Sequence, residues 1–205
     1  MPTILLIRHG ENDYVKEGRL AGRLPGVHLN DKGRAQAALL AEKLKDAPIR
    51  AVYSSPLDRT METAEPLAQA LGLAVTPRPG LLEADMGNWQ DRKLRGLSRL
   101  KAWRTVQFAP SLVRFPQGES FFETQMRIIA ELEALRGQHK DEEMFACVFH
   151  SDPIKLAVAF HLGLPLDLFQ RINVSPASVT ALQVSSWGSR LLMLNYDFSL
   201  TFSKP

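Results

Sequence analysis

The sequence has almost no cysteine and no long hydrophobic run. Cys147 is the only cysteine among 205 residues, which excludes a disulfide within one chain. Apolar runs such as 4–7 and 144–149 are far shorter than the roughly 20 residues of a transmembrane helix, and the first is too short for the core of a signal peptide. These absences favour a cytoplasmic protein in a reducing compartment over a secreted or membrane protein.

The chain has a small net charge and few aromatic residues. The 25 basic and 22 acidic residues give a net charge of +3, and aromatic residues make up 8%. The basic residues are scattered and do not form a stripe with interleaved aromatics, so we expect neither nucleic acid nor membrane as a partner. The 45% hydrophobic content is enough for one ordinary core, and we predict a single domain over 1–205.

The hydrophobic pattern alternates between short buried strands and amphipathic helices. It predicts strands at 3–7, 49–53, 73–76 and 144–149 and a hairpin at 179–184 and 191–196. It predicts helices at 31–45, 55–71, 94–106, 119–138 and 153–162, with a long loop at 11–29. We therefore expect an α/β fold, a three-layer α/β/α sandwich with a mostly parallel central sheet.

Some helical positions are predicted in more detail. Ser55 is expected to cap the second helix, with Pro56 at its first position. The expected core-facing residues are Ala35, Ala38, Leu39 and Leu44 in the first helix, and Met126, Ile129, Leu132 and Leu135 in the fourth.

Two predicted strands end in a histidine, and a basic residue lies at a nearby helix start. Arg8-His9-Gly10 follows the first strand, His150-Ser151-Asp152 follows a later one, and Arg59 falls in the first turn of a helix. Open α/β sheets bind ligands at the carboxyl ends of their strands. One guanidinium group can donate two parallel hydrogen bonds to two oxygens of a phosphoryl group. The pattern indicates a phosphate site.

The same residues carry a family resemblance. Arg8-His9-Gly10-Glu11 followed by the segment from Ser54 to Ala64 (SSPLDRTMETA) resembles the paired signature of the histidine phosphatase superfamily. Further matching segments are Leu29 to Ala37, the Glu83 region with Gly87 and Trp89, Gly118-Glu119-Ser120, and His150. The resemblance implies a phosphoglycerate-mutase-like fold in which residues 80–120 form a cap over the active site.

The resemblance also implies a role for each matching residue. His9 would be the nucleophile that forms a phosphohistidine, while Arg8, Arg59 and His150 would hold the phosphoryl oxygens. Glu83 would be the general acid, a role that requires a raised pKa, with Asp85 as the reserve candidate. Asn12 and Ser151 are expected to bind substrate. The scheme implies no metal and no other cofactor.

Three departures from the family pattern stand out. Asn12 occupies a position that usually holds Thr or Ser, and Val15 replaces a frequent phosphate-contacting Asn, whose contact we expect Asn12 to make instead. The family has a glycine directly after the second histidine, whereas here Ser151-Asp152-Pro153 follow His150, which adds the carboxylate of Asp152. This carboxylate either repels phosphate or orients His150, and the sequence does not decide between these roles.

Phosphatase chemistry is the preferred interpretation. The segment after Glu83 lacks the Arg-Xaa-Tyr-Gly pattern of true mutases, and 88–118 is short for a covering insertion. We therefore predict a phosphomonoesterase acting on a small phosphorylated metabolite. The alternatives are a phosphoglycerate-mutase-type phosphotransferase and a phosphate-binding relative with little turnover. The expected pocket lining is Arg23, Trp89, Arg92, Arg95 and Arg114. The substrate, and whether the chain forms a homodimer, stay open.

Overall fold

Six strands form one mixed sheet in the computed structural model, which describes residues 1–199. In chain order they are β1 (Thr3–Arg8), β2 (Ile49–Ser54), β3 (Val75–Pro77), β4 (Met144–Phe149), β5 (Val179–Ser185) and β6 (Gly188–Tyr196). Their order across the sheet is β3-β2-β4-β1-β5-β6. The pairs β1–β4, β2–β4 and β2–β3 are parallel, and the hairpin β5–β6 adds antiparallel strands beside β1. The predicted mostly parallel sheet is confirmed.

Helices cover both faces of this sheet. They are α1 (Asp13–Lys16), α2 (Asp31–Leu44), α3 (Asp58–Leu71), α4 (Leu94–Leu97), α5 (Lys101–Phe108), α6 (Phe121–Arg136) and α7 (Ser151–His161). Short 3₁₀ turns occur at Pro79–Leu81, Gly87–Trp89, Pro110–Leu112 and Leu166–Arg171. Between residues 1 and 199 no helix combines the length and the apolar character needed to cross a membrane.

The alternation of side chains along β1 creates the three layers. Leu5 and Ile7 point to the face covered by α2 and α3, where they join a buried cluster with Leu40 and Leu67. The intervening residues of β1 point to the opposite face, where they pack with residues of α6 and α7. Successive side chains of a strand alternate in this way, so the central strand contributes to both cores. The predicted α/β/α sandwich is confirmed.

A third apolar cluster lies beside the sandwich. It contains residues of the 84–115 segment such as Trp89 and Phe115, together with Phe121 of α6, Leu156 of α7 and Phe169. The ring centroids of Phe115 and Phe121 are 5.3 Å apart, and those of Phe121 and Phe169 are 4.8 Å apart. Aromatic packing therefore fixes the 84–115 segment against α6 and α7.

Several predicted helices differ from the structure. The 94–106 helix is two helices, α4 and α5, and the 11–29 loop contains the short helix α1. In α2 the buried residues are Gly33, Ala37, Leu40 and Ala41. Of the predicted stripe, Leu44 is half-buried and packs against the same cluster as Leu40, whereas Ala35 and Ala38 are exposed. Ala is frequent all around this helix, so the periodicity fitted mainly the wrong face. In α6, Met126 is 36% exposed, while Ile129, Leu132 and Leu135 are buried as predicted.

Candidate active site

The carboxyl ends of β1 and β4, which are neighbours in the sheet, meet the first turn of α3 at a cavity of about 220 Å³. Six of the seven predicted site residues line this cavity: Arg8, His9, Asn12, Arg59, Glu83 and Ser151. The seventh, His150, lies outside the lining. The expected convergence of three separate elements is therefore observed at this edge of the sheet.

The hydrogen bond of the His9 ring leaves one nitrogen free for chemistry. Its Nδ1 lies 2.7 Å from the carbonyl oxygen of Gly10. A carbonyl only accepts, so Nδ1 carries the proton and Nε2 keeps its lone pair. Burial, followed by the charges of Arg59 and Arg8, holds the pKa of His9 well below its usual value. His9 is therefore neutral at pH 7 and has one free nucleophilic nitrogen.

His150, which is expected to hold the phosphoryl oxygens, lies beside His9 but does not line the cavity. The ring is fully buried, and its centroid is 5.4 Å from that of His9 in an edge-to-face arrangement. Its Nδ1 faces an Nη2 of Arg59 at 3.4 Å, and its Nε2 lies 2.9 Å from Oγ of Ser55. Arginine only donates, so Nδ1 is the acceptor and Nε2–H donates to Ser55. In this arrangement both ring nitrogens contact protein groups, and Nδ1 helps to hold the Arg59 guanidinium in place.

Four buried donor atoms point to an anion site. Arg8 Nε, Arg59 Nε, Arg59 Nη1 and Asn12 Nδ2 are buried without a hydrogen-bond partner in residues 1–199, and all three residues line the cavity. The other contacts of the two arginines anchor them: Arg8 Nη1 donates to the carbonyl of Val174 at 2.6 Å, and Arg59 Nη2 to that of Gly22 at 2.7 Å. Burial lowers the pKa of Arg59 to about 10, so its guanidinium stays charged at neutral pH.

Asn12 is held by its other amide atom. Its Oδ1 accepts from the backbone N–H of Val15 at 2.8 Å and caps α1. The residue is 1% exposed and lines the cavity, and its Nδ2 is a buried donor without a partner in residues 1–199. The substrate-binding role of Asn12 stays a prediction.

Glu83 has the properties of a proton donor. The residue is 8% exposed; burial, and next the negative charge of Asp152, raise its pKa to about 7. Its Oε1 accepts from the backbone N–H of Ala84 at 2.9 Å. Asp85, the reserve candidate, does not line the cavity, and its Oδ1 accepts from the N–H of Gly87 at 2.9 Å. Glu83 is therefore the better candidate for the acid.

A half-buried ion-pair network holds the backbone around Glu83. Arg127 donates to the carbonyls of Gly80 and Leu82 at 2.8 and 2.9 Å, and Arg23 Nε donates to that of Glu83 at 2.8 Å. Both arginines pair with Glu119, at 2.9 Å and 2.7 Å. Burial opposes ionisation of Glu119, but Arg127 and Arg23 lower its pKa to about 2. The sequence motif around Glu119 thus acts on the Glu83 segment and not on the cavity directly.

The predicted outer lining of the cavity is wrong. None of Arg23, Trp89, Arg92, Arg95 and Arg114 lines it. Trp89 lies in the third apolar cluster, Arg23 pairs with Glu119 and Arg114 pairs with Glu123.

The observed outer wall comes from segment 12–22, including Tyr14 and Arg19, together with Met86 and Leu94. The Arg19 guanidinium lies 4.7 Å from the centre of the Tyr14 ring and pairs with Asp91, and the Tyr14 hydroxyl donates to Asp91 at 2.8 Å. The unusual length of the 11–29 loop was the available sequence signal for this wall.

The start of α3 also differs from prediction. The helix begins at Asp58 with Leu57 as its cap residue and no side-chain cap. Ser55 lies before the cap position, and its hydroxyl accepts a hydrogen bond from Nε2 of His150 instead. Arg59 nevertheless lies in the first turn, as predicted. Within the described residues, no group of three or more His, Cys, Asp or Glu side chains is arranged to hold a metal ion.

Comparisons with known proteins agree with this geometry. The family model for the histidine phosphatase superfamily (branch 1) matches residues 4–197. Phosphoserine phosphatase 1 of Hydrogenobacter thermophilus is 29% identical over 95% of this chain and 92% of its own length. The probable phosphoglycerate mutase GpmB of Erwinia tasmaniensis is 32% identical over 91% of this chain and 88% of its own. A mycobacterial glucosyl-3-phosphoglycerate phosphatase, solved with VO₃, superposes with a TM-score of 0.87 at 26% identity, covering 95% of this chain and 98% of that one.

Proposed function

This chain belongs to the histidine phosphatase superfamily, and we propose that it is a phosphomonoesterase that hydrolyses a small phosphorylated metabolite through a phosphohistidine at His9. Relatives named as phosphatases of phosphoserine and of glucosyl-3-phosphoglycerate support the reaction class. The alcohol portion of the substrate would lie against segment 12–22, Met86 and Leu94, with the 80–120 region as the cap.

The set of unpartnered buried donors carries the proposal. Unpaired buried polar atoms are rare in folded proteins because each costs about 1–3 kcal/mol. Here four of them belong to residues that line one cavity, which His9 also borders. A phosphoryl group supplies the acceptor oxygens that the two guanidiniums and the Asn12 amide lack. The N–H groups at the start of α7, where Ser151 lines the cavity, add further donors.

In the first step, Nε2 of His9 attacks the phosphorus atom and the bond from phosphorus to the ester oxygen breaks. Arg8 and Arg59 neutralise the charge that develops on the equatorial oxygens. The protonated carboxyl of Glu83 gives its proton to the departing oxygen, so the product leaves as an alcohol. The Nδ1–H bond to Gly10 keeps the ring oriented and helps to stabilise the positive charge of the phosphohistidine.

In the second step, water attacks the phosphohistidine. The Glu83 carboxylate, left by the first step, takes a proton from the water, and the nitrogen–phosphorus bond breaks to release inorganic phosphate and neutral His9. Glu83 is thus acid and then base, which suits a group with a pKa of about 7, close to the working pH. No step requires a metal ion, and the proposal predicts that chelators leave activity unchanged.

A phosphotransferase of the mutase type is the second candidate, favoured by relatives named as probable phosphoglycerate mutases. A mutase must retain a bisphosphate, which needs cations for a second phosphoryl group. Apart from Arg8 and Arg59, Arg19 is the basic residue lining the cavity, and it already pairs with Asp91 and Glu17. Hydrolysis therefore fits the charges of the cavity better.

Trapping the phosphoenzyme tests the proposal. The chain is mixed with a panel of phosphate monoesters, quenched in denaturant and assayed for acid-labile, base-stable phosphate on protein, in parallel with phosphate release. We expect both signals from the unmodified chain and neither from His9→Ala. His28→Ala, which removes an exposed histidine, serves as the matched control and should keep both. Release of phosphate by His9→Ala at the unmodified rate would refute the proposal, and silence across the panel would favour a binding protein.

A further inference from the structure

A carboxylate that takes no direct part in the proposed steps forms part of the cavity wall. Asp152, in the first turn of α7, lines the cavity together with Arg8 and His9. A site built for a phosphoryl dianion gains nothing for phosphoryl binding from a fixed negative charge. Besides its effect on Glu83, Asp152 is placed in the cavity wall to act on another part of the ligand.

Contacts on one side of the carboxylate hold it in place. Lys155 Nζ donates to Oδ1 of Asp152 at 3.1 Å and to Oε1 of Gln170 at 3.2 Å. The Asp152 and Lys155 side chains are 19% and 14% exposed. No other hydrogen bond reaches the Asp152 carboxylate from residues 1–199, which leaves Oδ2 free. Lys155 does not line the cavity, so a ligand meets the carboxylate and not the ammonium group.

The other charges of the wall do not offset this carboxylate for a second anionic group. Arg8 and Arg59 line the cavity with buried nitrogens that the proposed function assigns to the phosphoryl group, and Arg19 pairs with Asp91 and Glu17. In a cavity of about 220 Å³, the substituent beside the ester carbon of a small substrate lies close to the walls. Like charges at such separations repel strongly at the low effective dielectric of a partly buried site.

We infer that Asp152 is a specificity-determining residue that favours phosphate monoesters with a hydroxyl or ammonium donor beside the ester and excludes those with a second acidic group there. The inference rests on the proposed function for the place of the phosphoryl group. Oδ2 of Asp152 accepts from the donor, whereas a carboxylate or second phosphate meets the carboxylate oxygen that Lys155 does not contact. This selection also disfavours a phosphoglycerate mutase, whose substrates carry a carboxylate.

Binding to a variant that cannot turn over isolates this selection. In a His9→Ala background, calorimetry compares glycerol 3-phosphate with 3-phosphoglycerate, which differ by a hydroxymethyl group against a carboxylate. We expect the dissociation constant of phosphoglycerate to be at least about tenfold higher, equivalent to about 1.4 kcal/mol. Adding Asp152→Asn should narrow that ratio to less than about threefold. Adding Asp13→Asn, the same change at an exposed residue outside the cavity lining, should leave it intact.

Each contrary outcome has a separate meaning. Equal affinity for the two esters with Asp152 present, or a ratio unchanged in both Asp152→Asn and the second variant Asp152→Ser, overturns the inference. Failure of both esters to bind contradicts the inference together with the phosphate site. Hydrolysis of p-nitrophenyl phosphate by the unmodified chain is measured separately. If the chain does not hydrolyse it but the ratio of the two dissociation constants is as expected, the proposed function is wrong and the inferred role of Asp152 is supported.

Discussion

At the scale of single residues, each histidine of the site is held in one tautomer by an acceptor or donor of fixed type. The carbonyl of Gly10 fixes the proton of His9 on Nδ1, and the guanidinium of Arg59 fixes that of His150 on Nε2. Burial followed by nearby arginines lowers the pKa of both rings. Two neutral imidazoles can therefore lie beside two guanidiniums without charge repulsion, and one of them keeps a free lone pair.

The pKa of Glu83 predicts an alkaline limit to the reaction. Since the acid form is needed for the first step and its pKa is about 7, kcat/KM for alkyl phosphates should fall as pH rises above 7. The lowered pKa of His9 puts the acidic limit below the ordinary histidine range. A pH profile measured from 4 to 9 checks both limits. A rate that rises through pH 8 would contradict the assignment of Glu83 as the acid.

Replacing Glu83 by Gln should distinguish the acid role from a binding role. The variant cannot protonate a leaving group, so activity on alkyl phosphates should fall by about 10²–10⁴. Aryl phosphates with weakly basic leaving groups should lose much less in the first step, and vanadate affinity should stay within a few-fold of the unmodified chain. Asp85→Asn is the matched control beside it and should keep the ratio of alkyl to aryl rates. Equal losses on both substrate types would assign Glu83 to binding.

At the scale of elements, the strand ends and the start of α2 were predictable from sequence, whereas the start of α3 was not. Parallel strands bring their carboxyl ends to one edge, so the polar residues after β1 and β4 had to meet there. Ser55 was predicted as a helix cap because Ser followed by Pro is typical of helix starts. Its actual partner is His150, 95 residues away, and no local pattern contains that information. The sequence did not predict the cavity wall formed by segment 12–22, because that segment has no hydrophobic period from which its position could be inferred.

The contact between the Glu83 segment and the start of α6 depends on two glycines. A Cβ on Gly118 would lie 2.2 Å from the carbonyl oxygen of Asp85, and one on Gly87 would lie 2.1 Å from that of Pro116. Gly87 also has a φ of +46°, which favours glycine. The two segments therefore approach backbone to backbone, and Glu119 reinforces the contact with its two arginine pairs. The position of the general acid depends on this contact.

Glu119→Gln should weaken the support of the acid without touching substrate. The variant leaves Arg127 and Arg23 with a neutral partner, so the free energy of unfolding should fall by about 1–3 kcal/mol. Because Glu83 is then less well placed, kcat should fall while KM changes little, and the alkaline limit of the pH profile should move. Glu133→Gln, which removes a half-exposed pair with Arg136 within α6, is the control for both measurements. An unchanged kcat and pH profile in Glu119→Gln would make Glu119 purely structural.

At the scale of the whole molecule, the buried guanidiniums reduce stability in favour of binding. Arg59 is 1% exposed and leaves Nε and Nη1 unpartnered within residues 1–199. Removing a charge from water costs free energy that only a partner can offset. The three-layer sandwich tolerates this because it has a buried apolar cluster on each side of the sheet. An oxyanion should therefore stabilise the fold as well as occupy the site.

Vanadate should raise Tm by an amount that depends on Arg59. At a concentration of 100 times Kd, a ligand that binds only the folded chain contributes about 2.7 kcal/mol, which for a chain of this size corresponds to roughly 5–10 °C. Arg59→Met replaces the guanidinium with an apolar side chain, so its Tm without vanadate should equal or exceed that of the unmodified chain while the vanadate shift disappears. Arg114→Met, at an exposed arginine that pairs with Glu123, should keep the full shift. Differential scanning calorimetry with and without vanadate measures all three chains, and a full shift in Arg59→Met would show that the oxyanion binds elsewhere.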